Sequence, residues 1–378
     1  MLQIQFFDED IIKALVPVYS MKPDKVVFLY SGSRTDNARM NDISYAITHK
    51  YPDYVPDVEF VKADMLSLED IKSRISEILE GNTDNDIVFD ITGGTELMTA
   101  CGVMVCIERG YKAVYVNRKR GYIFDVLTGQ NVCGTVSLSI DDCINAIGAK
   151  HIADSHEIPP ESEYDCICKM AEYIFEHIPA WHEFNEWAVA YFSQNYSLVF
   201  DAPHVTGNQQ RILSRLAQCG FIVSLGGSRF RITKERYRDY IINYGIWLEM
   251  YIYIKAQGYF DEAYLGYVVD WNNNDAVENE DNEIDVIAIR KSVPVIISCK
   301  MAKPRPEAVY QVMGIAGKLA DAGAKAVIAT TFNVESTKDE QKDIYQRIRN
   351  MNVGLIETWQ FGRRSAEDIF NKALQMAE

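Results

Sequence analysis

Over its first 130 residues the chain switches back and forth between strand and helix patterning, and that alternation most constrains the fold. Leu2–Phe7 alternates apolar and polar side chains as a half-buried strand does, while Lys25–Tyr30 and Asp86–Ile91 read as buried strands. Asp57–Ala63 and Ala113–Asn117 complete the strand set. Asp8–Ser20, Asn37–Lys50, Ser67–Glu80 and Thr95–Arg109 read as helices, with Ser67 as an N-cap and Asp70 three residues on. Gly121–Leu127 reads as a late hairpin. Strands alternating with helices predict an α/β fold built on a parallel, doubly wound sheet.

The remaining sequence changes character twice. Residues 131–162 form a weak boundary that ends in Pro159-Pro160-Glu161-Ser162. Residues 163–240 are mostly helical and close with a helix at Gln209–Cys219, a strand at Phe221–Leu225, a Gly226-Gly227 turn and a returning strand at Arg229–Thr233, the order of a winged helix. From Tyr240 the pattern resets. One helix spans Tyr240–Gln257, and strands follow at Glu262–Val269, Glu283–Arg290 and Val293–Lys300. A helix at Arg305–Ala322, a strand at Lys325–Thr331, a helix near Lys338–Asn350 and a strand at Val353–Thr358 complete the pattern. At 378 residues two or three domains are expected, and these shifts place them at 1–150, 151–240 and 241–378.

Composition excludes some functions. With 48% hydrophobic residues the chain can bury substantial cores, and no run of about eighteen apolar residues is free of charge, so no membrane span is expected. The first residues carry no basic region or cleavage site, and eight scattered cysteines lack zinc-finger spacing; both fit a cytoplasmic protein with reduced thiols. A net charge of −16 argues against a constitutive nucleic-acid binder, because such affinity comes largely from basic side chains displacing counterions. Locally the balance reverses: the acidic stretch Asp275–Asp285 is followed by Arg290, Lys291, Lys300, Lys303 and Arg305, an asymmetry suited to a metal site beside a phosphate track, although a solvated acidic loop explains the acids equally well.

The chemistry-bearing residues cluster near the C-terminus. Glu249 lies in the first helix of the third segment, within Trp247-Leu248-Glu249. Asn282-Glu283-Ile284-Asp285-Val286 and Ile297-Ser298-Cys299-Lys300 lie on successive strands. Residues two apart on a strand share a face, so Glu283 with Asp285, and Ser298 with Lys300, can meet across neighbouring strands. Carboxylates there can hold a divalent cation, and the lysine can orient water and offset developing negative charge. The plainer alternative is an ordinary cross-strand pair of Asp285 and Lys300.

This constellation resembles the PD-(D/E)xK nuclease superfamily, in which the helix carries an acid, the next strand reads Asn-Glu-(Leu/Ile)-Asp-Val and the following strand ends Glu-Cys-Lys. By that resemblance the catalytic residues are Glu249, Glu283, Asp285, Ser298 and Lys300, with Glu249 and Asp285 binding Mn²⁺ or Mg²⁺. Ser298 departs from the pattern, standing where a second strand carboxylate is usual.

The N-terminal sheet has its own marker. Asp90-Ile91-Thr92-Gly93-Gly94-Thr95-Glu96-Leu97-Met98 runs from strand to helix, where glycines admit close backbone approach and helical N–H groups favour an anion. The Thr-Gly-Gly-Thr-x-x-Met signature resembles the CRISPR-associated Rossmann-fold (CARF) domain, with Tyr30-Ser31-Gly32-Ser33 as the second ligand loop. The resemblance implies a cyclic oligoadenylate ligand, tetra-adenylate being the expected ring, held by Ser31, Gly32, Thr92, Gly93, Gly94, Thr95 and Met98. Glu96 stands where that family commonly has lysine.

Together the two resemblances imply a CARF domain, a winged-helix-like connector and a restriction-endonuclease-like domain. They also imply a cyclic-oligoadenylate-activated, metal-dependent endonuclease of type III CRISPR antiviral defence. DNA or RNA is the expected substrate, and a homodimer is expected because a two-fold ligand suits a two-fold axis. Two alternatives stay open: a non-catalytic DNA-binding regulator on a nuclease-like scaffold, and a ring nuclease that degrades the oligoadenylate in the N-terminal pocket.

Overall fold

A computed structural model describes residues 1–8, 10–82, 86–117, 120–271, 281–334 and 342–377 of the chain. The fold is mixed α/β with three sheets. The first is built from β1 (Leu2–Phe6), α1 (Ile11–Met21), β2 (Lys25–Tyr30), α2 (Arg34–His49), β3 (Asp57–Lys62), α3 (Leu68–Glu80), β4 (Ile87–Asp90), α4 (Glu96–Arg109) and β5 (Lys112–Asn117), extended by β6 (Tyr122–Asp125) and β7 (Asn131–Gly134). Its strand order is β3-β2-β1-β4-β5-β6-β7; β1 to β5 run parallel and the last two pairings are antiparallel. Chain order reverses between β1 and β4, which opens the ligand-binding crevice of a doubly wound sheet at their carboxyl ends. The loops after β2 and β4 both lie at that end.

After α5 (Ile140–Asn145) comes β8 (Lys150–Asp154), drawn from the stretch read above as a boundary. It joins not its neighbours in sequence but the edge of the third sheet, antiparallel to β12 (Glu262–Asp270). Between them lie α6 (Tyr164–Glu176), α7 (Ile178–Phe192), β9 (Val199–Asp201), α8 (Gly207–Gln218), β10 (Ile222–Gly226), β11 (Arg229–Ile232), α9 (Arg236–Ile242) and α10 (Ile246–Ala256). The expected two-stranded wing gains a third strand, in the order β10-β11-β9. β9 has only three residues, too short for a periodic signal.

The third sheet continues with β13 (Asp281–Arg290), β14 (Val293–Lys300), α11 (Pro306–Lys318), β15 (Lys325–Thr330), α12 (Lys342–Asn350), β16 (Gly354–Glu357) and α13 (Ala366–Met376), in the strand order β16-β15-β14-β13-β12-β8. The helix read near Lys338–Asn350 begins, among the described residues, at Lys342, and most of the acidic stretch before Asp281 lies outside them. α13 was not anticipated; Ser365 caps it by accepting from the Asp368 N–H (3.1 Å). No helix among the described residues is long and apolar enough to cross a membrane.

Two cores cover the third sheet. One unites Trp181, Phe184 and Trp247 with Val286, Ala288 and Ile297. The other unites Tyr19 and Val114 of the first sheet's layers with Ile287, Ile296 and Val312. N-terminal and C-terminal units therefore share a continuous apolar interior. Polar bonds fix their register: Tyr267 Oη donates to Asp141 (2.6 Å), Ile140 N–H to Glu262 (2.9 Å) and Leu138 N–H to Ser292 Oγ (2.9 Å). Ser292 is buried and lies in the two-residue β13–β14 turn with Lys291, both at positive φ (65° and 49°) although neither is glycine. Such turns match strand twist but favour Asn-Gly, so the bond from Leu138 helps hold a turn that the residues themselves disfavour. Ser292→Ala should lower unfolding free energy by about 1–3 kcal/mol, the cost of leaving a buried N–H unpaired, measurable by urea titration. A loss below about 0.5 kcal/mol, the range of ordinary surface changes, would show that the bond does not hold the units together.

Candidate functional site

The expected single helix over Tyr240–Gln257 is in fact two. Asn243 ends α9 in extended conformation, and its side-chain oxygen accepts from the N–H groups of Gly245 (3.0 Å) and Ile246 (3.2 Å), starting α10 afresh. Two buried indoles pin the break: Trp247 donates to Tyr240 O (2.8 Å) and Trp181 to Tyr244 O (3.1 Å). Helical periodicity runs through this stretch, but capping by Asn243 wins locally. The restart puts Glu249 in the first turn of α10. A Cβ on Gly245 would stand 3.2 Å from Glu249 Oε1, so this position leaves room for the carboxylate.

Asp285 sits where the β13–β14 ladder stops. The register runs from Arg290–Val293 to Val286–Ile297; one step on, the Cys299 N–H donates to Asp285 Oδ2 at 2.6 Å. The same oxygen accepts from Ser298 Oγ (3.3 Å) and lies 3.5 Å from Lys300 Nζ. Glu283, Asp285, Ser298 and Lys300 together line a cleft of about 460 Å³, floored by α11 with Gln311 and Lys318. Glu249 does not line that cleft. It reaches the group through His156, whose Nε2 lies 3.5 Å from Glu249 Oε2 and 3.6 Å from Glu283 Oε1. Ser155 Oγ donates to Glu283 at 2.5 Å.

Ser155 and His156 are the site residues that sequence reasoning missed. They follow β8, whose sequence Lys-His-Ile-Ala-Asp carries almost no apolar alternation. Only its pairing across β12 brings them to the acids, and no local signal predicts that.

Charge explains the titration behaviour. Burial chiefly raises the Glu249 carboxyl, and the negative charges of Asp285 and Glu283 add to it, against an opposing pull from His156. His156 is itself raised, first by its contact with Glu249 and then by the fields of Glu249, Glu283 and Asp285, burial opposing. The buried Cys299 thiol stands well above its ordinary value, so it is no nucleophile at neutral pH. The cluster thus brings three carboxylates together with one imidazole and one ammonium. Among the described residues no three His, Cys, Asp or Glu side chains are grouped closely enough to hold a metal ion. Mg²⁺ commonly takes only one or two protein carboxylates and keeps water elsewhere, and the carboxylates of Glu249 and Asp285 fit a cation of that kind.

At the other end of the chain, Thr92-Gly93-Gly94 turns over the end of β4. Thr92 donates its N–H (3.0 Å) and hydroxyl (2.5 Å) to Asp90 Oδ1, and its hydroxyl accepts from Val116 N–H of β5 (3.0 Å). Asp90 is fully buried with Oδ2 unpartnered, and burial pushes its carboxyl up to about 7. Gly93 admits no side chain without crowding Phe6 O (3.0 Å), and Gly94 has φ 85°. Thr95 caps α4 by accepting from the Met98 N–H (3.4 Å), and its own N–H donates to Sδ of the buried Met98 (3.1 Å). The Gly94 N–H is not free: it donates to Asp8 Oδ2 (2.8 Å), which also pairs with Lys13 (3.1 Å). In the second loop, Ser31 donates its N–H (3.0 Å) and hydroxyl (2.5 Å) to Asp36, and the Lys62 side chain lies over Gly32. Two cations that sequence reasoning did not assign thus stand beside the loops, Lys13 of α1, paired with Asp8, and Lys62 at the end of β3.

The fold and sites define a class: an α/β protein carrying a doubly wound sheet with a glycine turn at its switch point, joined to a mixed sheet with an acid–lysine pair. No protein-family model matches the chain and no curated protein sequence matches it. Solved structures do share its fold. Protein VC1899 from Vibrio cholerae is similar over 100% of this chain and 98% of its own, with a TM-score of 0.78 and 14% identity. Can2 from Sulfobacillus thermosulfidooxidans, solved in complex with cyclic tetra-adenylate, is similar over 100% and 99% of the two chains, with a TM-score of 0.67 and 17% identity. A type III CRISPR defence DNA nuclease activated by cyclic oligoadenylate matches 87% of this chain with a TM-score of 0.52 and 12% identity, this chain spanning 45% of that one.

The cluster yields a pH test. In metal-free protein His156 should titrate above the ordinary imidazole value near 6.5. Because the folded-state value is raised, its stabilising effect is complete below about 6.5 and fades as pH rises through that raised value. NMR titration of the imidazole should show the shift in wild type and its return toward the ordinary value in Glu249→Gln. An unshifted His156 would separate it from the glutamates.

Proposed function

We propose that this chain is a metal-dependent nuclease switched on by a cyclic oligoadenylate in type III CRISPR defence. The observation that carries the reading is the Asp285 carboxylate, set 3.5 Å from Lys300 Nζ in an open cleft. Its support is the shared fold with Can2 in complex with cyclic tetra-adenylate and with a DNA nuclease activated by cyclic oligoadenylate. In this reading Asp285 and Glu249 hold Mg²⁺ or Mn²⁺, which when bound supplies Lewis-acid stabilisation of a phosphodiester oxygen. Lys300 orients water at the scissile phosphate and offsets negative charge as it builds up. Ser298 donates to Asp285 and fixes the carboxylate, while Glu283, held by Ser155 and His156, adds negative charge to the cluster.

The activator lies at the switch point, against Ser31, Gly32, Thr92, Gly93, Gly94, Thr95 and Met98. Lys62 and Lys13 supply the positive charge that Glu96 does not. The homodimer in this reading is supported by the outer face of α4, which leaves Leu97, Met104 and Ile107 exposed at 41%, 41% and 65%. These positions share one stripe of the helix that starts at the glycine turn, so pairing two copies there would put two ligand loops side by side.

Two experiments test this. With Mn²⁺ and cyclic tetra-adenylate, labelled DNA or RNA should be cut, and Lys300→Ala should slow cutting by about 10²–10³-fold, the usual cost of losing one transition-state donor, with ligand affinity intact. Cutting at the wild-type rate would overturn the catalytic assignment; a shifted DNA band without cutting would favour a regulator, and consumption of the ring alone a ring nuclease. Ile107→Glu should turn a dimer into a monomer by light scattering, and a dimer that persists would move the interface elsewhere.

A further inference from the structure

A further cavity among the described residues belongs to neither site. It measures about 790 Å³ and opens between β5 and the outer end of the β13–β14 hairpin, lined by Tyr115, Asn117, Tyr259, Arg290, Lys291 and Lys325 among others. In a chain of net charge −16 its wall carries, among the described residues, three cations and no carboxylate. The nearby Asp261 is already engaged by the Lys291 backbone N–H (2.6 Å).

The cations differ in what occupies them. Lys325 Nζ donates to Ala377 O (2.9 Å). The Arg290 guanidinium carbon lies over the Tyr259 ring, 3.5 Å from its centroid, yet its Nη1 is buried without a hydrogen-bond partner among the described residues. Burying a guanidinium N–H unpaired is costly, and a planar, pre-positioned guanidinium suits phosphate oxygens. Lys291 stands exposed at the turn, where its ammonium makes no ion pair among those seen. Across the cavity Tyr115 is 42% exposed, in a T-shaped contact with Phe124 (5.9 Å), and the Asn371 side-chain oxygen accepts from Tyr259 Oη (2.6 Å).

From this geometry we infer that the cavity is a binding site for a nucleotide, with Arg290 and Lys291 on the phosphates and Tyr115 against the base. The volume lies within the range of small-ligand pockets, about 300–1,000 Å³. The site is separate from the proposed activator loop and from Asp285, but it touches both halves: Val116, on its wall, donates to Thr92, and the hairpin on its other side runs on to Asp285 and Ser298.

Calorimetric titration of the full chain with ADP tests it, with a five-nucleotide DNA strand as the second arm. ADP should bind saturably. Lys291→Glu and Tyr115→Ala, both at exposed positions, should each weaken binding by about tenfold or more, whereas an excess of cyclic tetra-adenylate, the proposed ligand of the other loop, should leave it unchanged. No heat up to about 1 mM ADP, near the weak limit of specific binding, would overturn the inference, as would equal affinity in Lys291→Glu. Displacement of ADP by cyclic tetra-adenylate would assign the binding to the loop instead, and binding of the strand but not of ADP would replace the nucleotide with a nucleic-acid contact. Because the readout is binding and not cutting, it stands whether or not the chain proves to be a nuclease.

Discussion

The site depends on a carboxylate standing in for a carbonyl. Where β13 and β14 part, Asp285 Oδ2 takes the Cys299 N–H, so the strands separate without leaving a donor orphaned. That one contact opens the cleft and orients the acid, and it also sets the distance to Lys300 on the next residue. The carboxylate is fixed by main chain rather than by a flexible partner. Little side-chain entropy is then left to lose when anything binds beside it.

A second constraint is the restart of the helix at Asn243-Tyr244-Gly245. A continuous helix would carry Glu249 on a rigid rod set by α9; two capped helices let α10 take its own direction onto the sheet. Trp181 and Trp247 make the break specific, each burying a large ring and spending its one N–H on a carbonyl that the break exposes. The local rule for a long helix is broken where the site needs a particular placement, as consistency arguments lead one to expect.

Local periodicity carried most of the first sheet and the β12–β14 meander, because each of those strands is apolar enough to declare itself. The acid–lysine pairing was legible for the same reason: Asp285 and Lys300 lie on consecutive strands joined by a two-residue turn, so spacing alone brings them together. His156 was not legible. It follows a five-residue edge strand with one large apolar residue, and its partners lie more than ninety positions later. Asp8 was hidden differently: it was visible as a helix-start acid, but its acceptance of the Gly94 N–H is a contact between two strand ends, 86 positions apart. Non-local pairing, not composition, decides both.

Ser298 is best understood through the charge around it. Burial chiefly raises the Glu249 carboxyl, and the charges of Asp285 and Glu283 raise it further against the pull of His156. A further carboxylate at 298 would stand next to Asp285 and sharpen that repulsion, at a cost that grows as the site excludes water. The hydroxyl instead donates to Asp285 and needs no counter-charge. Glu283, with its side chain half exposed and tied to Ser155, keeps the number of nearby acids at three. On this view the serine does not empty the site of negative charge: Glu249, Glu283 and Asp285 remain, with His156 beside the two glutamates.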